Sequence, residues 1–182
     1  MKGLILPLVI GVALTMAGCT SGVVVTPSVD VPTPEVTETP TPEWTEEQQA
    51  SIDAVQAYIT MWATIGQNVT TAQWNDILTV AIDPQSNHDM MLWAHWVDEG
   101  WHLTNGPRFT PASVTLGVND EVGQHFHVRG CYVIEGSHIV DATGQFIGEE
   151  TRRERAATSY VVLHTHEGPY LVTDSTSEGP SC

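Results

Sequence analysis

The hydrophobic pattern of this chain changes its period at Gly106-Pro107, and that change constrains the fold more than any other feature. Before this dipeptide, apolar residues recur every three to four positions, which is typical of amphipathic helices. After it, apolar and polar residues alternate, which is typical of strands with one buried face. Helices followed by consecutive strands predict an α+β domain, with helices covering one face of a curved antiparallel sheet.

Two or three helices are predicted in the front half. The first covers 44–65, where Thr45 and Gln48 fit a capping box at the start. A second, shorter helix is predicted around 74–81, after a similar Thr-x-x-Gln pair, and a third over 87–99, ending at a glycine. We expect the apolar faces of these helices to form one side of the core.

Long strands are predicted in the back half. The apolar residues of 114–118 share one face, as do those of 122–134, with a hairpin turn at Asn119-Asp120 between the two runs. Further strands are predicted at 139–141, 146–147, 152–166 and 170–174, leaving 175–181 as a polar tail.

The first eighteen residues are similar to a bacterial lipoprotein signal peptide. Lys2 precedes an uncharged apolar stretch, 3–16, which is too short as a helix for a hydrocarbon core of about 30 Å. The stretch ends in Met-Ala-Gly before Cys19, which resembles the lipobox, whose cysteine thiol takes a diacylglyceryl group before cleavage. We therefore expect Cys19 to hold the mature protein in the bilayer, since two acyl chains suffice for stable anchoring. The alternative is an ordinary cleavage site and a soluble secreted protein.

Three segments follow from this organisation. Residues 1–18 form the signal peptide, and 19–43 form the lipidated cysteine and a Pro/Thr-rich linker whose prolines prevent regular helix. Residues 44–182 form a single α+β domain, because this length suits one hydrophobic core. We expect the domain to lie on the extracytoplasmic face of the cell membrane.

The charge balance excludes nucleic acid as a partner. The chain carries 22 acidic residues against 6 lysines and arginines, a net charge of −16. A contiguous basic surface for phosphates cannot be assembled from so few cations. The same sign disfavours anionic headgroups, so attachment to a membrane must come from a lipid or from hydrophobic insertion.

The order of elements over 44–182, together with the closing segment Gly-Pro-Tyr-Leu-Val-Thr-Asp at 168–174, resembles the nuclear transport factor 2-like superfamily. That superfamily includes exported actinobacterial lipoproteins. The resemblance implies a cone-shaped α+β fold, often with a ligand pocket between the concave sheet and the helices. It is a resemblance of pattern and transfers no catalytic residue.

The cysteines allow one internal disulfide. If Cys19 carries lipid, Cys131 and Cys182 form the only possible intramolecular pair. Export makes the bond chemically permissible, and we expect it to form. The alternatives are two free thiols, or a Cys182 that pairs between molecules.

Two histidine pairs have the spacing of residues on one face of a strand, His125 with His127 and His164 with His166. If their strands were neighbours and the pairs faced each other, four imidazoles could hold Zn²⁺ or Cu²⁺. His125, His127 and Arg129 share one polar face, which could instead line a ligand pocket. The alternative to both hypotheses is the solvent-facing side of an antiparallel sheet.

No motif in the sequence identifies a reaction, and no phosphate loop, nucleophile elbow or dinucleotide fingerprint is present. A pocket enzyme would need an ionisable residue in partly apolar surroundings. The candidates that can be named are Asp53, Tyr58, His95, Asp98 and Tyr160.

We therefore expect a membrane-anchored lipoprotein whose domain binds an extracytoplasmic ligand or protein without catalysis and without a cofactor. One alternative is a pocket enzyme of the isomerase, dehydratase or cyclase type, and another is a metal-binding lipoprotein that uses the histidines. A deep pocket with a buried carboxylate would favour the enzyme, and converging imidazoles would favour the metal. Exposed tryptophans and methionines from 90–101 would favour a binding module.

Overall fold

The helices and strands are described from a computed structural model, which covers residues 43–148, 155–166, 168–179 and 182. The predicted signal peptide, Cys19 and nearly all of the linker lie outside these residues. The helical elements are α1 (Glu46–Gln67), a 3-10 helix (Trp74–Thr79) and α2 (Gln85–Glu99). The strands are β1 (His102–Leu103), β2 (Arg108–Asn119), β3 (Gly123–Val133), β4 (Ile139–Val140), β5 (Arg155–Thr165) and β6 (Tyr170–Gly179).

The four long strands form one antiparallel sheet in the order β2-β3-β5-β6, and β1 pairs with β4 in a separate two-stranded sheet. Both helices pack against one face of the curved four-stranded sheet. The predicted α+β class and the antiparallel pairing are therefore confirmed.

The inner face of the sheet carries the even-numbered residues of β3 and β5. Phe126 lies opposite Val162, and Val128 lies opposite Tyr160, and all four side chains are buried. They belong to one core cluster with the buried hydrophobic residues of α1, which are Ile52, Val55, Tyr58, Ile59, Ala63 and Ile65. The odd-numbered residues of the same strands face outward, because side chains alternate across a strand.

The start of α1 and the end of α2 follow the predicted signals, whereas α1 continues two residues past its predicted end at 65 and α2 begins two residues before its predicted start at 87. The capping box is confirmed, since the Gln48 backbone N–H donates to Thr45 Oγ1 at 3.3 Å and the Thr45 N–H donates to Gln48 Oε1 at 3.0 Å. α2 ends at Gly100, whose φ of 70° is left-handed and suits glycine. The segment predicted as a second amphipathic helix forms a 3-10 helix of 6 residues without a side-chain cap.

The hairpin turn at Asn119-Asp120 is confirmed, and Asp120 accepts hydrogen bonds from two backbone N–H groups of the turn. The predicted buried face of β2 is only partly right. Val114 is buried, but Leu116 and Val118 are 66% and 67% exposed. β2 is an edge strand whose register with β3 shifts after Leu116, so its last residues leave the regular pairing.

The last strand is longer than the sequence predicts. β6 continues from Asp174 to Gly179, with Ser175 opposite Tyr160 and Ser177 opposite Thr158. These residues have no apolar alternation, so the backbone pairing with β5 holds them in the sheet where hydrophobicity gives no signal.

A disulfide joins Cys131 on β3 to Cys182, with the two Cα atoms 5.5 Å apart. The predicted pair is thereby confirmed. The bond closes a loop across a sequence separation of 51 residues and ties the chain end beyond β6 to the middle of the sheet. Over the same described residues, no helix combines the length and the apolar character needed to cross a bilayer.

Replacing Cys131 or Cys182 by Ser is expected to lower the free energy of unfolding by about 2–4 kcal/mol, because a loop of this length gains entropy in the unfolded chain. Chemical denaturation with and without reductant measures the change. Reductant should destabilise the wild-type chain and leave both variants unaffected. Equal stability of the wild-type chain in oxidising and reducing buffer would contradict the structural role of the bond.

Candidate ligand-binding site

A cavity of about 520 Å³ lies between the two helices and the inner face of the sheet. α1 and α2 form one side, and β3, β5 and β6 form the other. The residues that line it are Tyr58, Ile59, Trp62, Gln85, His88, Asp89, Leu92, Tyr132, Ile134, Ala156, Thr158, Tyr160, Ser175 and Ser177.

A hydrogen-bonded network of four side chains crosses one wall of this cavity. Tyr58 Oη donates to Asp89 Oδ2 at 2.9 Å, and Gln85 Nε2 donates to Asp89 Oδ1 at 3.1 Å. Gln85 Nε2 also lies 2.8 Å from Tyr58 Oη, and Ser175 Oγ donates to Gln85 Oε1 at 3.1 Å. The network therefore connects α1, α2 and β6 through polar groups.

The helical period explains why these groups meet. Gln85 and Asp89 are four residues apart on α2, so they lie one turn apart on the same face. Trp93 and Trp96 continue that face and are fully buried. Tyr58 belongs to the buried side of α1, which faces both α2 and the sheet.

Burial dominates the electrostatics of the site. Asp89 is only 3% exposed, and the loss of solvation raises its pKa to about 6, although hydrogen bonds from Tyr58 and Gln85 act in the opposite direction. Burial also raises the pKa of Tyr58, and the Asp89 carboxylate beside it raises that pKa further. The pKa of Tyr160 is raised by burial and by the nearby Tyr132 and Asp89. Both tyrosines therefore remain protonated hydrogen-bond donors at neutral pH.

Aromatic and aliphatic side chains form most of the remaining wall. The rings of Tyr58 and Tyr160 meet edge to face, with centroids 6.1 Å apart. Trp62 is held by an edge contact with the buried Trp96 at 5.7 Å, and Phe109 supports Tyr160 from β2 at 5.3 Å. These contacts fix the rings that face the cavity, which makes the site preformed.

The structure corrects the hypothesis that His125, His127 and Arg129 line a pocket. These odd-numbered residues of β3 lie on the outer face, whereas Tyr132 on the same strand faces the cavity. His125 Nε2 lies 3.3 Å from a carboxylate oxygen of Asp120 in the hairpin turn, and Arg129 forms an ion pair with Glu178. The three residues therefore lie on the solvent-facing side of the sheet, which was the alternative interpretation of the sequence pattern.

The proposed four-histidine metal site is also corrected. β3 and β5 are neighbours, but His125 lies opposite Leu163 and His164 lies opposite Gln124. The pairs therefore project to opposite faces of the sheet, and the His164 ring stacks on Tyr170 with centroids 4.0 Å apart. His166 follows the end of β5. Throughout the described ranges, no group of three or more histidine, cysteine or acidic residues is placed to hold a metal ion.

Of the five residues named as catalytic candidates, Tyr58 and Tyr160 line the cavity. Asp53 is exposed and accepts a hydrogen bond from Gln49, His95 packs on the ring of Trp101, and Asp98 is exposed.

Sequence reasoning missed Gln85, because the third helix was predicted to begin only at 87, and it also missed Asp89, which lies inside that predicted helix. The signal was present in the spacing 85, 89, 93 and 96, which places these two polar residues on the face of the buried tryptophans.

The folded-state pKa of Asp89 predicts how stability depends on pH. Because this pKa lies above the unfolded value of about 3.9, the carboxyl group destabilises the folded state increasingly as pH rises from about 4 to above 6. The unfolding free energy of the wild-type chain, relative to Asp89→Asn, should fall over this range by up to about 3 kcal/mol. Denaturant titrations at several pH values measure it, with the exposed Asp98→Asn on the same helix as control. A difference that stays flat or grows with pH would contradict the assignment.

Comparisons with known proteins leave the family open. No family model matches the chain, and no curated protein matches it. Among solved structures, the intermembrane space region of the chloroplast protein ARC6 is similar at a TM-score of 0.36 and 10% sequence identity, covering 69% of this chain and 94% of that chain. A likeness of this size carries no argument about function.

Proposed function

We propose that this domain binds a small organic molecule in the cavity between its helices and the inner face of its sheet. The observation that carries the proposal is the buried Asp89 network within a cavity whose remaining wall is mostly aromatic and aliphatic. Ligand sites are typically concave and mostly apolar, with a few fixed polar groups that orient the ligand. The volume of about 520 Å³ lies within the range of about 300–1,000 Å³ that such sites occupy.

We further propose that the domain belongs to an exported, nuclear transport factor 2-like lipoprotein held in the cell membrane through Cys19. The Met-Ala-Gly-Cys sequence at 16–19 supports the lipid anchor. The Cys131–Cys182 disulfide supports an oxidising compartment, where such bonds persist. Helices on one face of a curved antiparallel sheet, with a cavity between them, support the fold family.

The cavity proposal predicts that a bulky side chain at the cavity wall blocks binding of a neutral, apolar dye such as Nile red. Ser177 on β6 lines the cavity, whereas its neighbour Thr176 lies opposite Ser159 on the outer face. Ser177→Phe should weaken dye binding by about tenfold or more, because the ring occupies ligand volume. Thr176→Phe should bind the dye as the wild-type chain does. Fluorescence titration measures both, and equal affinities of the two variants would place the dye elsewhere.

The anchor proposal predicts that Cys19→Ser moves the chain from the membrane fraction to the soluble fraction or leaves it unprocessed. Two acyl chains contribute most of the membrane affinity, since each buried CH₂ group contributes about 0.8 kcal/mol. Intact-mass analysis of the wild-type chain from membranes should show a diacylglyceryl group on Cys19. An unmodified, uncleaved chain in the wild type would refute the anchor.

The buried carboxyl group favours acid–base catalysis as a second candidate function. A carboxyl group with a pKa of about 6 changes protonation near neutral pH and can accept a proton from a bound substrate. The Tyr58 hydroxyl group donates a hydrogen bond to Asp89 at 2.9 Å, which fixes the orientation of the carboxyl group.

The catalytic hypothesis predicts that the protein speeds the exchange of protons next to the carbonyl group of bound ketones. Deuterium incorporation next to the carbonyl of a panel of cyclic ketones, followed by NMR, should exceed the buffer rate and fall at least about 100-fold in Asp89→Asn. The Nile red affinity of that variant should change little. Equal exchange rates in the two proteins would leave binding as the function.

A further inference from the structure

The polarity of the cavity identifies the chemical class of its ligand, an inference that rests on the proposed binding function. We infer that the ligand is an organic cation, a protonated amine with an apolar body, whose N–H groups donate to the Asp89 carboxylate. Three observations carry this step: the charges at the cavity, the free acceptor capacity of Asp89, and the aromatic rings around it.

The sheet separates the Asp89 carboxyl group, which faces the cavity, from the arginines of the described residues. Among the described residues that line the cavity, Asp89 is the only acidic side chain, and neither lysine nor arginine is present. The three described arginines belong to the outer face. Arg108 and Arg155 both lie opposite Val133, and Arg129 lies opposite Ser159. Among the lining residues, His88 is the only group that offers Asp89 a positive charge, so an anionic ligand would meet a poorly compensated carboxylate, and a cation would supply a further countercharge.

Asp89 retains acceptor capacity for such a ligand. An ionised carboxylate accepts about four hydrogen bonds; Tyr58 donates to one oxygen of Asp89 and Gln85 to the other, and Trp62 is a third donor to the group. The remaining lone pairs of the carboxylate can accept hydrogen bonds but cannot donate them. A ligand that offers only a carbonyl or carboxylate oxygen therefore forms no hydrogen bond with Asp89. A protonated amine offers up to three donors.

The rings around Asp89 favour a cation as well. Tyr58, Trp62, Tyr132 and Tyr160 all face the cavity, and the face of an aromatic ring attracts a cation. The net charge of −16 also raises the concentration of cations near the protein surface. The apolar side chains of Ile59 and Leu92 suit a hydrocarbon body attached to the amine.

The affinity for the cation should depend on pH, because the protonation state of Asp89 depends on pH. The groups that face Asp89 are Tyr58 and Trp62 from α1, Gln85 and His88 from α2, and Tyr132, Tyr160 and Ser175 from the strands. Both tyrosines whose pKa is raised stay neutral, so we assign the change in charge on acidification to Asp89. Protonation of Asp89 removes the negative charge that attracts a cation, and amine affinity should therefore fall as pH drops below about 6.

The test uses the full chain and three probes that share one ring system: tryptamine, a cation; tryptophol, the neutral alcohol; and indole-3-acetate, an anion. Isothermal titration calorimetry at about pH 8, where Asp89 is ionised, should give tryptamine an affinity at least about tenfold above that of tryptophol. Indole-3-acetate should bind most weakly. At about pH 5 the advantage of tryptamine should shrink to less than about threefold.

Matched variants distinguish a loss of binding caused by the missing charge from a loss caused by a disturbed fold. Asp89→Asn keeps the side-chain size and should bind tryptamine and tryptophol equally, whereas Asp98→Asn removes the same charge from the surface and should behave as the wild type. Nile red binding to each variant reports whether the cavity is intact.

The outcomes distinguish the two proposals. Tryptophol or indole-3-acetate binding as tightly as tryptamine, with Nile red displaced, would overturn the cation inference and leave the binding function standing. Failure of all three probes and of Nile red to bind would overturn both. A preference for the amine that survives in Asp89→Asn would also overturn the inference, because the carboxylate would not be its source.

Discussion

The packing of α1 on the inner face of the four-stranded sheet is the contact on which the rest of the domain depends. Ile52, Val55 and Ile59 bury their side chains against the residues of β3 and β5 that face the helices, among them Val128 and Val162. Fully burying side chains of this kind contributes about 1.5–3 kcal/mol each. α2 contacts α1 through the Tyr58–Asp89 hydrogen bond and the Trp62–Trp96 ring contact, and the space that the helices leave above the curved sheet forms the cavity.

The polar network is the exception within this apolar layer. Removing an ionisable carboxyl group from water is unfavourable unless hydrogen bonds replace its hydration. Tyr58 and Gln85 replace part of it, and Ser175 extends the network to the sheet. Burial nevertheless dominates, and the carboxyl group retains a raised pKa. Local rules are broken most often at functional sites, so this unfavourable feature marks the cavity as more than a packing defect.

Hydrophobic period and capping residues were sufficient to predict α1, α2 and the β2–β3 hairpin. Those elements carry strong local signals, such as the Thr45 capping box and the left-handed Gly100. β6 beyond Asp174 escaped prediction because only its pairing with β5 holds that serine- and threonine-rich segment in place. Local patterns act over a few residues, whereas strand partners are set by the whole fold.

The site was harder to predict than the fold. The His125–His127 spacing correctly indicated one face of a strand, but spacing alone does not tell which face lies under the helices. The register of β3 with β5 decides this, and it places those histidines outside and Tyr160 inside. Asp89 escaped notice because a single acidic residue on a helix looks solvated until its neighbours on the same face are seen to be buried.

The Cys131–Cys182 disulfide limits how two molecules of this protein can associate. β6 is an edge strand of the four-stranded sheet, and such a strand can be exchanged between two copies in domain swapping. Cys182 bonded to Cys131 of the same chain keeps this strand with its own sheet. The cavity-lining side chains of Ser175 and Ser177 are therefore held on the same chain as the helices that they face.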